Sequence, residues 1–327
     1  MIDFTRTKRS DCHEKKAKIS MVSRESADEA FSRFLLTKRA NGVKTKTIDT
    51  YSQHFHAISK HLDIHQEITK WTSADLQGMI VSMQESGLSP NSIKSYSITL
   101  KVFLSWCNTE GLTSLNMAKY KGEETIKETY SDEELTALLQ KPNTKKCTFA
   151  EYRSWVIVNL LVNCGCRAAT IRSILIRDVD LPSRVIHARH TKNRKALVIP
   201  LCSQMVGILR EYMKIRDGEP DDFLFCTEHG TQLTENALRC SIVDYNTRRG
   251  VEKTSIHLFR HTFARKYLVD CGGNAFTLQK LLGHSTLDMT KHYCAIFDAD
   301  IARDFDSYSP LAQIKTSSKI KMSDKRR

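Results

Sequence analysis

The chain has 327 residues, of which 40% are hydrophobic, so it is long enough for two ordinary domains and apolar enough to bury a core in each. It contains no run of 18 apolar residues, so its sequence predicts no membrane-spanning helix. Basic residues outnumber acidic ones by 13, a balance typical of proteins that bind a polyanion.

Much of this positive charge lies in the two tails. Residues 1–20 carry six basic and three acidic residues, and residues 315–327 carry six basic and one acidic residue, so the tails hold eight of the 13 excess charges. The rest of the chain has an excess of only five. Charge by itself therefore leaves two interpretations open, a nucleic-acid-binding protein and a protein that merely has basic tails.

Ten cysteines are scattered along the chain without a C-x-x-C pair. The N-terminal stretch is charged throughout and shows no secretory signal. We therefore expect reduced thiols in a cytoplasmic protein, with most cysteines serving as small core residues.

Residues 26–108 predict a bundle of four or five helices. Between residues 48 and 62 the apolar side chains recur at three- and four-residue spacing, which indicates one buried stripe on a helix. Ser89 and Pro90 give an N-cap followed by proline at the first helical position, so another helix begins there. A basic tail, residues 1–25, precedes this bundle.

Residues 109–130 lose the helical periodicity and gain charge, which is typical of a linker. Ser131 and Glu134 then form a capping box that begins a second domain, residues 131–300. That domain is mostly helical, with one hairpin predicted from the two apolar segments that flank the sequence TKNR. The predicted fold class is therefore mainly α with a small β-sheet, followed by a short helix and a basic tail over residues 301–327.

Basic and nucleophilic side chains recur where predicted elements of the second domain begin or end. In chain order they are Arg167, Lys192, His257, Arg260, His284 and Tyr293. His257 and Arg260 are three residues apart at a helix start and so lie on the same side of that helix. Each residue alone has an ordinary structural explanation, such as a solvated turn lysine or a half-buried aromatic, so the prediction depends on their combination and order.

That order, Arg…Lys…His-x-x-Arg…His…Tyr, resembles the tyrosine recombinases, or phage integrase family. HLFRHTFA (257–264) and LLGHSTLDMTKHY (281–293) resemble two highly specific boxes of the family, and GCRAATI (165–171) and TKNRKALVIPL (191–201) resemble its weaker arginine and lysine motifs. The resemblance covers about residues 26–300. It implies a SAM-like, core-binding helical bundle, followed by an α+β tyrosine-recombinase catalytic domain.

The resemblance implies site-specific DNA recombination that integrates, excises or resolves DNA elements through a 3′-phosphotyrosyl intermediate. Two guanidinium groups can hold the non-bridging oxygens of a phosphodiester and stabilise its transition state, which suits Arg167 and Arg260. Tyr293 would attack the phosphorus. This chemistry needs no metal and no other cofactor, and we expect none.

The resemblance also supplies roles for the remaining residues of the set. His257 would accept the tyrosine proton and return it later. Lys192 would protonate the departing 5′-oxygen, and His284 would donate a hydrogen bond to the scissile phosphate. Thr170 departs from the family pattern, which often has an acidic residue there, so we expect Arg167 to be held less firmly.

Two other chemistries use the same segments. A thiol nucleophile, Cys164 or Cys166 paired with His257, lacks any motif for an oxyanion hole. A zinc site at His284, His292 and Cys294 would need ligand spacings of eight and two residues, which fit no common site. We regard both as minor alternatives, and we expect His261 and His292 to be structural.

The expected partner is double-stranded DNA with specific recombination sites, bound by a homotetramer. Two polar, cationic helix starts in the bundle suit phosphate groups. They comprise Lys44, Thr45, Lys46, Asn91, Ser92 and Lys94. Residues 301–308 predict a short amphipathic helix, which could fold onto its own domain. The resemblance implies that such a helix packs on a neighbouring subunit, and we favour this second interpretation.

Two further functions remain open at this point. A DNA-binding protein without catalysis would not need the six polar residues, all of which are present. A type IB topoisomerase acting alone would share the chemistry, but the helical bundle and the helix after the tyrosine favour a recombinase that assembles on DNA.

Overall fold

The computed structural model describes residues 25–122, 128–189, 197–284, 286 and 290. The chain divides into two compact units, Met1–Thr125 and Ile126–Arg327. Within the described part of the chain, no helix combines the length and the apolar character needed to cross a bilayer.

The described part of the first unit is a bundle of four α-helices, as the apolar spacing predicts. Its helices are α1 (Ala27–Ala40), α2 (Thr45–Ile58), α3 (Ser73–Glu85) and α4 (Pro90–Thr109). The Ser26 hydroxyl accepts from the Glu29 N–H and the Glu29 carboxylate accepts from the Ser26 N–H, a capping box that begins α1. Ser89 caps α4 directly before Pro90, as expected.

Aromatic rings fill the centre of this bundle. Phe31 on α1 stacks on Phe55 of α2 with 3.7 Å between ring centroids, and Phe103 of α4 meets both rings edge-on. Leu112 and Met117, beyond the end of α4, are buried in the same core. The chain therefore remains packed on the bundle after its last helix.

The second unit is mainly helical with one small sheet, which confirms the predicted fold class. Its elements are α5 (Asp132–Leu139), α6 (Phe149–Cys164), α7 (Ala168–Ser173), β1 (Val179–Asp180), β2 (Val185–Ala188), β3 (Leu197–Pro200), α8 (Ser203–Arg216), α9 (Glu235–Arg248), α10 (Ile256–Arg265) and α11 (Ala275–Leu282). A π-helical turn, Lys266–Asp270, continues α10.

Helix α6 forms the centre of this unit. Every residue from Tyr152 to Leu161 is buried, as expected of a helix that is covered on all sides. It packs against α5, α8, α9 and α10. The position of its C-terminal end is therefore fixed by four neighbouring helices.

The three strands form an antiparallel sheet in the order β1-β2-β3. Ile186 of β2 pairs with Ile199 of β3, so the two strands of the predicted hairpin are confirmed, while their connecting turn, residues 190–196, lies outside the described residues. The short strand β1 carries too few residues to show a periodic pattern in the sequence. At the end of β2, Arg189 Nε lies 3.2 Å from the buried carboxylate of Asp178.

Candidate active site

Two helices of the second unit end in the same way, with a left-handed glycine. Gly165 (φ 57°) caps α6 and Gly283 (φ 61°) caps α11. Glycine reaches this backbone conformation without the steric cost that other residues incur. The last carbonyl groups of each helix have no partner within the helix and carry partial negative charge, so each end is suited to bind a cation.

Arg260 on α10 joins these two helix ends. Its guanidinium is buried, with 4% of the residue exposed. Nη1 donates to the Gly165 carbonyl and Nη2 to the Leu282 carbonyl, each at 2.9 Å. Burying a cation is costly unless hydrogen bonds compensate it, and the two helix ends supply that compensation.

His284 extends the contacts of Arg260. Its Nε2 lies 2.6 Å from Arg260 Nη2, and its Nδ1 lies 2.9 Å from the hydroxyl of Thr290. A guanidinium has no lone pair to offer, so Nε2 accepts, and the Nδ1–H donates a hydrogen bond to the Thr290 hydroxyl. Burial, and then the charges of Arg260 and Arg167, lower the pKa of His284 to about 4. The ring is therefore neutral near neutral pH.

Arg167 also contacts the end of α11. It is the N-cap residue of α7, and its Nη1 donates to the Gly283 carbonyl at 3.4 Å. His257 is exposed one turn before Arg260 on α10. Arg167, Arg260 and His284 are thus gathered at the end of α11, and the cluster they form is called the arginine–histidine cluster below.

The remaining predicted residues of this set cannot be placed. Lys192 and Tyr293 both lie outside the described residues, as do His292 and Cys294 of the zinc alternative. The predicted helix at residues 301–308 lies outside them as well. The described part of the catalytic set therefore contains the two arginines and the two histidines but neither the nucleophile nor the lysine.

Helix starts carry the six residues predicted to contact DNA. Lys44 is the N-cap residue of α2, and it is exposed together with Thr45 and Lys46 in the first turn. In the first turns of α4, Asn91 is exposed, whereas Ser92 and Lys94 are half-buried. The Ser92 hydroxyl lies 2.9 Å from that of Ser89, within the cap of α4.

Two cysteines flank the glycine that ends α6. Cys164 and Cys166 are buried, with 3.1 Å between their sulfur atoms. The hydrogen bond between them and their burial raise the pKa of the Cys166 thiol well above its usual value. Since the thiolate is the reactive form of cysteine, this environment disfavours the thiol alternative.

Three further residues of the motif segments have clear structural settings. Thr170 is buried, and its N–H donates to the Arg167 carbonyl at 2.9 Å, in the turn that follows Arg167. Phe259 is fully buried and packs on the ring of Tyr130, 4.3 Å between centroids. Sequence reasoning gave no role to Thr290, although it lies in the segment LLGHSTLDMTKHY and contacts His284 directly.

Comparison with known proteins agrees with this architecture. The family described as "Phage integrase family" matches residues 128–299, and the one described as "Phage integrase, N-terminal SAM-like domain" matches residues 29–111. Tyrosine recombinase XerC of Shewanella amazonensis is 25% identical over 302 residues, which are 90% of this chain and 99% of the relative.

Solved structures show the same fold. A lambda integrase dimer bound to a COC′ core site has a TM-score of 0.68 at 18% identity, over 91% of this chain and 100% of that one. A lambda integrase tetramer bound to a Holliday junction has a TM-score of 0.67 at 17% identity, over 83% of this chain and 78% of that one.

The two family matches and the similarity to the recombinase XerC together place the chain in the class of DNA strand transferases. The chain belongs to the phage integrase family, whose model matches more than half of it. This family comprises the tyrosine recombinases, so the protein is an enzyme of site-specific DNA recombination that cleaves and rejoins DNA strands.

Proposed function

We propose that the protein breaks and rejoins DNA at specific sites with Tyr293 as the nucleophile, through a 3′-phosphotyrosyl bond. The observation that carries this proposal is the arginine–histidine cluster, in which Arg167 and Arg260 both donate to carbonyls at the end of α11. Two anchored guanidinium groups can hold a phosphodiester and stabilise the charge of its transition state. No ATP is required, because the covalent link retains the energy of the broken ester.

The remaining roles are those that membership of the family implies. His257, exposed beside Arg260 on α10, accepts the phenol proton of Tyr293 and returns it on rejoining. Lys192 protonates the 5′-oxygen that leaves. A phenol has a pKa of about 10 in water, and a cationic pocket favours its ionised form.

We assign DNA binding and catalysis to different parts of the chain. The bundle, residues 26–108, binds DNA through the starts of α2 and α4. Residues 109–130 link it to the catalytic domain, residues 131–300, and residues 301–327 bind a neighbouring subunit. The match of the SAM-like family to residues 29–111 supports the first assignment.

The substrate of the proposed reaction is double-stranded DNA that carries paired recombination sites, and the working assembly is a homotetramer. The dimer and tetramer of lambda integrase on DNA support both statements. The protein then acts in the cytoplasm, on the nucleoid, where it integrates, excises or resolves DNA elements.

The test is covalent trapping on a nicked suicide substrate that contains the native site. The unchanged protein should form a covalent adduct, and Tyr293→Phe should form none, because phenylalanine has no hydroxyl. Tyr267→Phe, a half-buried tyrosine of the same unit, is the matched control and should retain the adduct. An adduct that survives Tyr293→Phe would discard this nucleophile.

DNA-binding, trapping and relaxation assays distinguish this function from two alternative functions. A DNA-binding protein without catalysis would shift the substrate in a gel but give no adduct. A topoisomerase acting alone would relax supercoiled DNA with equal efficiency whether one or two sites are present. A recombinase should depend on paired sites.

A further inference from the structure

The residue at which the predicted linker ends, Tyr130, packs along the first two turns of α10. Tyr130 is buried, and its ring lies on that of Phe259, with 4.3 Å between centroids. Its N–H donates to the hydroxyl of Thr262 at 2.9 Å. That hydroxyl donates in turn to the Leu258 carbonyl, as a hydroxyl can accept and donate at once. The backbone and the ring of one residue are therefore both fixed on this helix.

The phenol of Tyr130 contacts the chain just before α10. It lies 3.0 Å from the carbonyl oxygen of Lys253 and 3.4 Å from that of Ser255. Burial raises the pKa of this phenol, so it stays protonated and donates. Asn246 Nδ2 donates to the phenol oxygen at 3.0 Å and to the Lys253 carbonyl at 2.7 Å. The phenol, the amide and the carbonyl thus form a closed triangle of hydrogen bonds.

The start of α10 depends on this triangle more than most helix starts would. A side chain at the N-cap ordinarily accepts from an N–H of the first turn and fixes the backbone there. Ser255 is the N-cap residue of α10, yet its side chain makes no capping bond within the part of the chain that the structure describes. Tyr130 instead holds residues 253–255 through their carbonyl groups. The Lys253 ammonium adds a bond to the Thr129 carbonyl at 3.1 Å.

We propose that Tyr130 is a positioning residue, which sets the place of His257 by tying the start of α10 to the end of the linker. His257 stands in the first turn of α10, two residues after the N-cap. The inference rests on the proposed function, in which His257 accepts the proton of Tyr293. Arg260, one turn further, is anchored on the ends of α6 and α11, so loss of the tie should displace the first turn more than this guanidinium.

The position of His257 matters because a general base must lie within hydrogen-bond reach of the proton that it accepts. A misplacement of about 1 Å can cost about 100-fold in rate. The substitution Tyr130→Phe keeps the ring on Phe259 and removes only the hydroxyl. The Lys253 carbonyl keeps its bond from Asn246, so the variant should fold. What it loses is the bond that closes the triangle.

The experiment is a double-mutant cycle of Tyr130→Phe and His257→Ala, measured as single-turnover cleavage of the suicide substrate. DNA affinity and urea unfolding are measured for every variant. Tyr212→Phe is the matched control, because Tyr212 is also buried in the second unit and its hydroxyl donates to a backbone carbonyl, that of Leu224, at the same 3.0 Å. Hydrogen exchange of the Tyr130 amide is measured in the unchanged protein.

The cycle separates positioning from simple stabilisation of the fold. Tyr130→Phe should cleave about tenfold more slowly at unchanged DNA affinity, and His257→Ala about 100-fold more slowly. The double variant should stay within about twofold of His257→Ala, because no base is left to position. A tyrosine that only stabilises the fold would slow cleavage by the same factor in both backgrounds. Tyr212→Phe should cleave normally.

Four results would overturn the proposal. They are a normal rate in Tyr130→Phe, equal slowing by Tyr130→Phe in both backgrounds, a normal rate in His257→Ala, and a Tyr130 amide that exchanges as fast as in an unfolded chain. The last is read from the unchanged protein, so it decides even if Tyr130→Phe does not fold. Absence of any adduct in the unchanged protein would instead reject the proposed function, and this inference would fall with it.

Discussion

At the scale of single residues, Arg260 shows why this site needs an arginine. One guanidinium contacts two backbone carbonyls and an imidazole at 2.6 to 2.9 Å. The planar fork of arginine can satisfy several acceptors at fixed angles, whereas the ammonium of lysine is a compact point charge on a flexible stem. The same fork gives the site its rigidity.

Replacement of Arg260 by lysine should therefore impair both cleavage and folding. We expect single-turnover cleavage to fall by at least about 100-fold, since one ammonium cannot occupy the three positions at once. Arg265→Lys, at an exposed position near the end of the same helix, is the control and should cleave normally. Cleavage by Arg260→Lys at the rate of the unchanged protein would contradict the anchored-arginine site.

His284 predicts a defined dependence of stability on pH. Its pKa is lowered from the ordinary 6.5 to about 4 in the folded protein, so the unfolded state takes up a proton first as the pH falls. The stabilisation is complete above about pH 6.5 and is lost as the pH falls towards 4, by up to about 3 kcal/mol.

The measurement is urea unfolding at pH 7.5 and at pH 4.5. His284→Gln cannot titrate, so its free energy of unfolding should fall less than that of the unchanged protein over this interval. His229→Gln, at an exposed position, should follow the unchanged protein. Equal losses in all three proteins would show that His284 is not held neutral by the fold.

At the scale of elements, the site depends on how two helices end. Helices α6 and α11 both stop at a left-handed glycine, and their terminal carbonyls accept from Arg260. The end of α6 is also crowded, since a Cβ atom on Gly165 would lie 2.7 Å from the ring of Phe263 on α10. A change at this glycine therefore disturbs the helix that carries Arg260.

Gly165→Ala tests this arrangement. The left-handed conformation alone costs a residue with a Cβ atom about 1–2 kcal/mol, and displacement of Phe263 adds to that. Gly250→Ala is the matched control, because Gly250 has φ 71° and open space around its Cβ position. We expect thermal unfolding to show a larger loss for Gly165→Ala, together with slower cleavage in that variant alone. Equal losses in the two variants would argue against the crowded helix end.

At the scale of the whole molecule, the two units have separate hydrophobic cores. Eight of the 13 excess positive charges lie in the terminal tails. The rest of the chain therefore has an excess of only five positive charges with which to attract DNA. Individual lysines at the helix starts of the first unit should then contribute measurably to binding.

The double variant Lys44→Ala/Lys46→Ala should bind DNA less tightly, and the slope of log affinity against log salt should shrink by about two. Lys60→Ala is the control, because Lys60 is exposed just beyond the other end of α2, about 20 Å away at 1.5 Å per residue. It should leave the slope nearly unchanged. An unaltered slope in the double variant would remove the start of α2 from the DNA interface.

The sequence by itself determined the local features of the fold. Helix starts at Ser26, Ser89 and Ser131, the glycine that ends α6, and the two strands of the hairpin all depend on residues that are neighbours in the chain. The family was readable too, because its motifs are short and specific. The roles of Lys192 and Tyr293 stay predictions, since both lie outside the described residues.

Only the tertiary structure decided how the cations are held. Arg260 bonds a carbonyl 95 residues away, and Arg167 bonds one 116 residues away. The proton on Nδ1 of His284 likewise follows from a buried guanidinium on another helix. Such contacts depend on which helix ends meet in space and on how much water they exclude, and no local pattern encodes either.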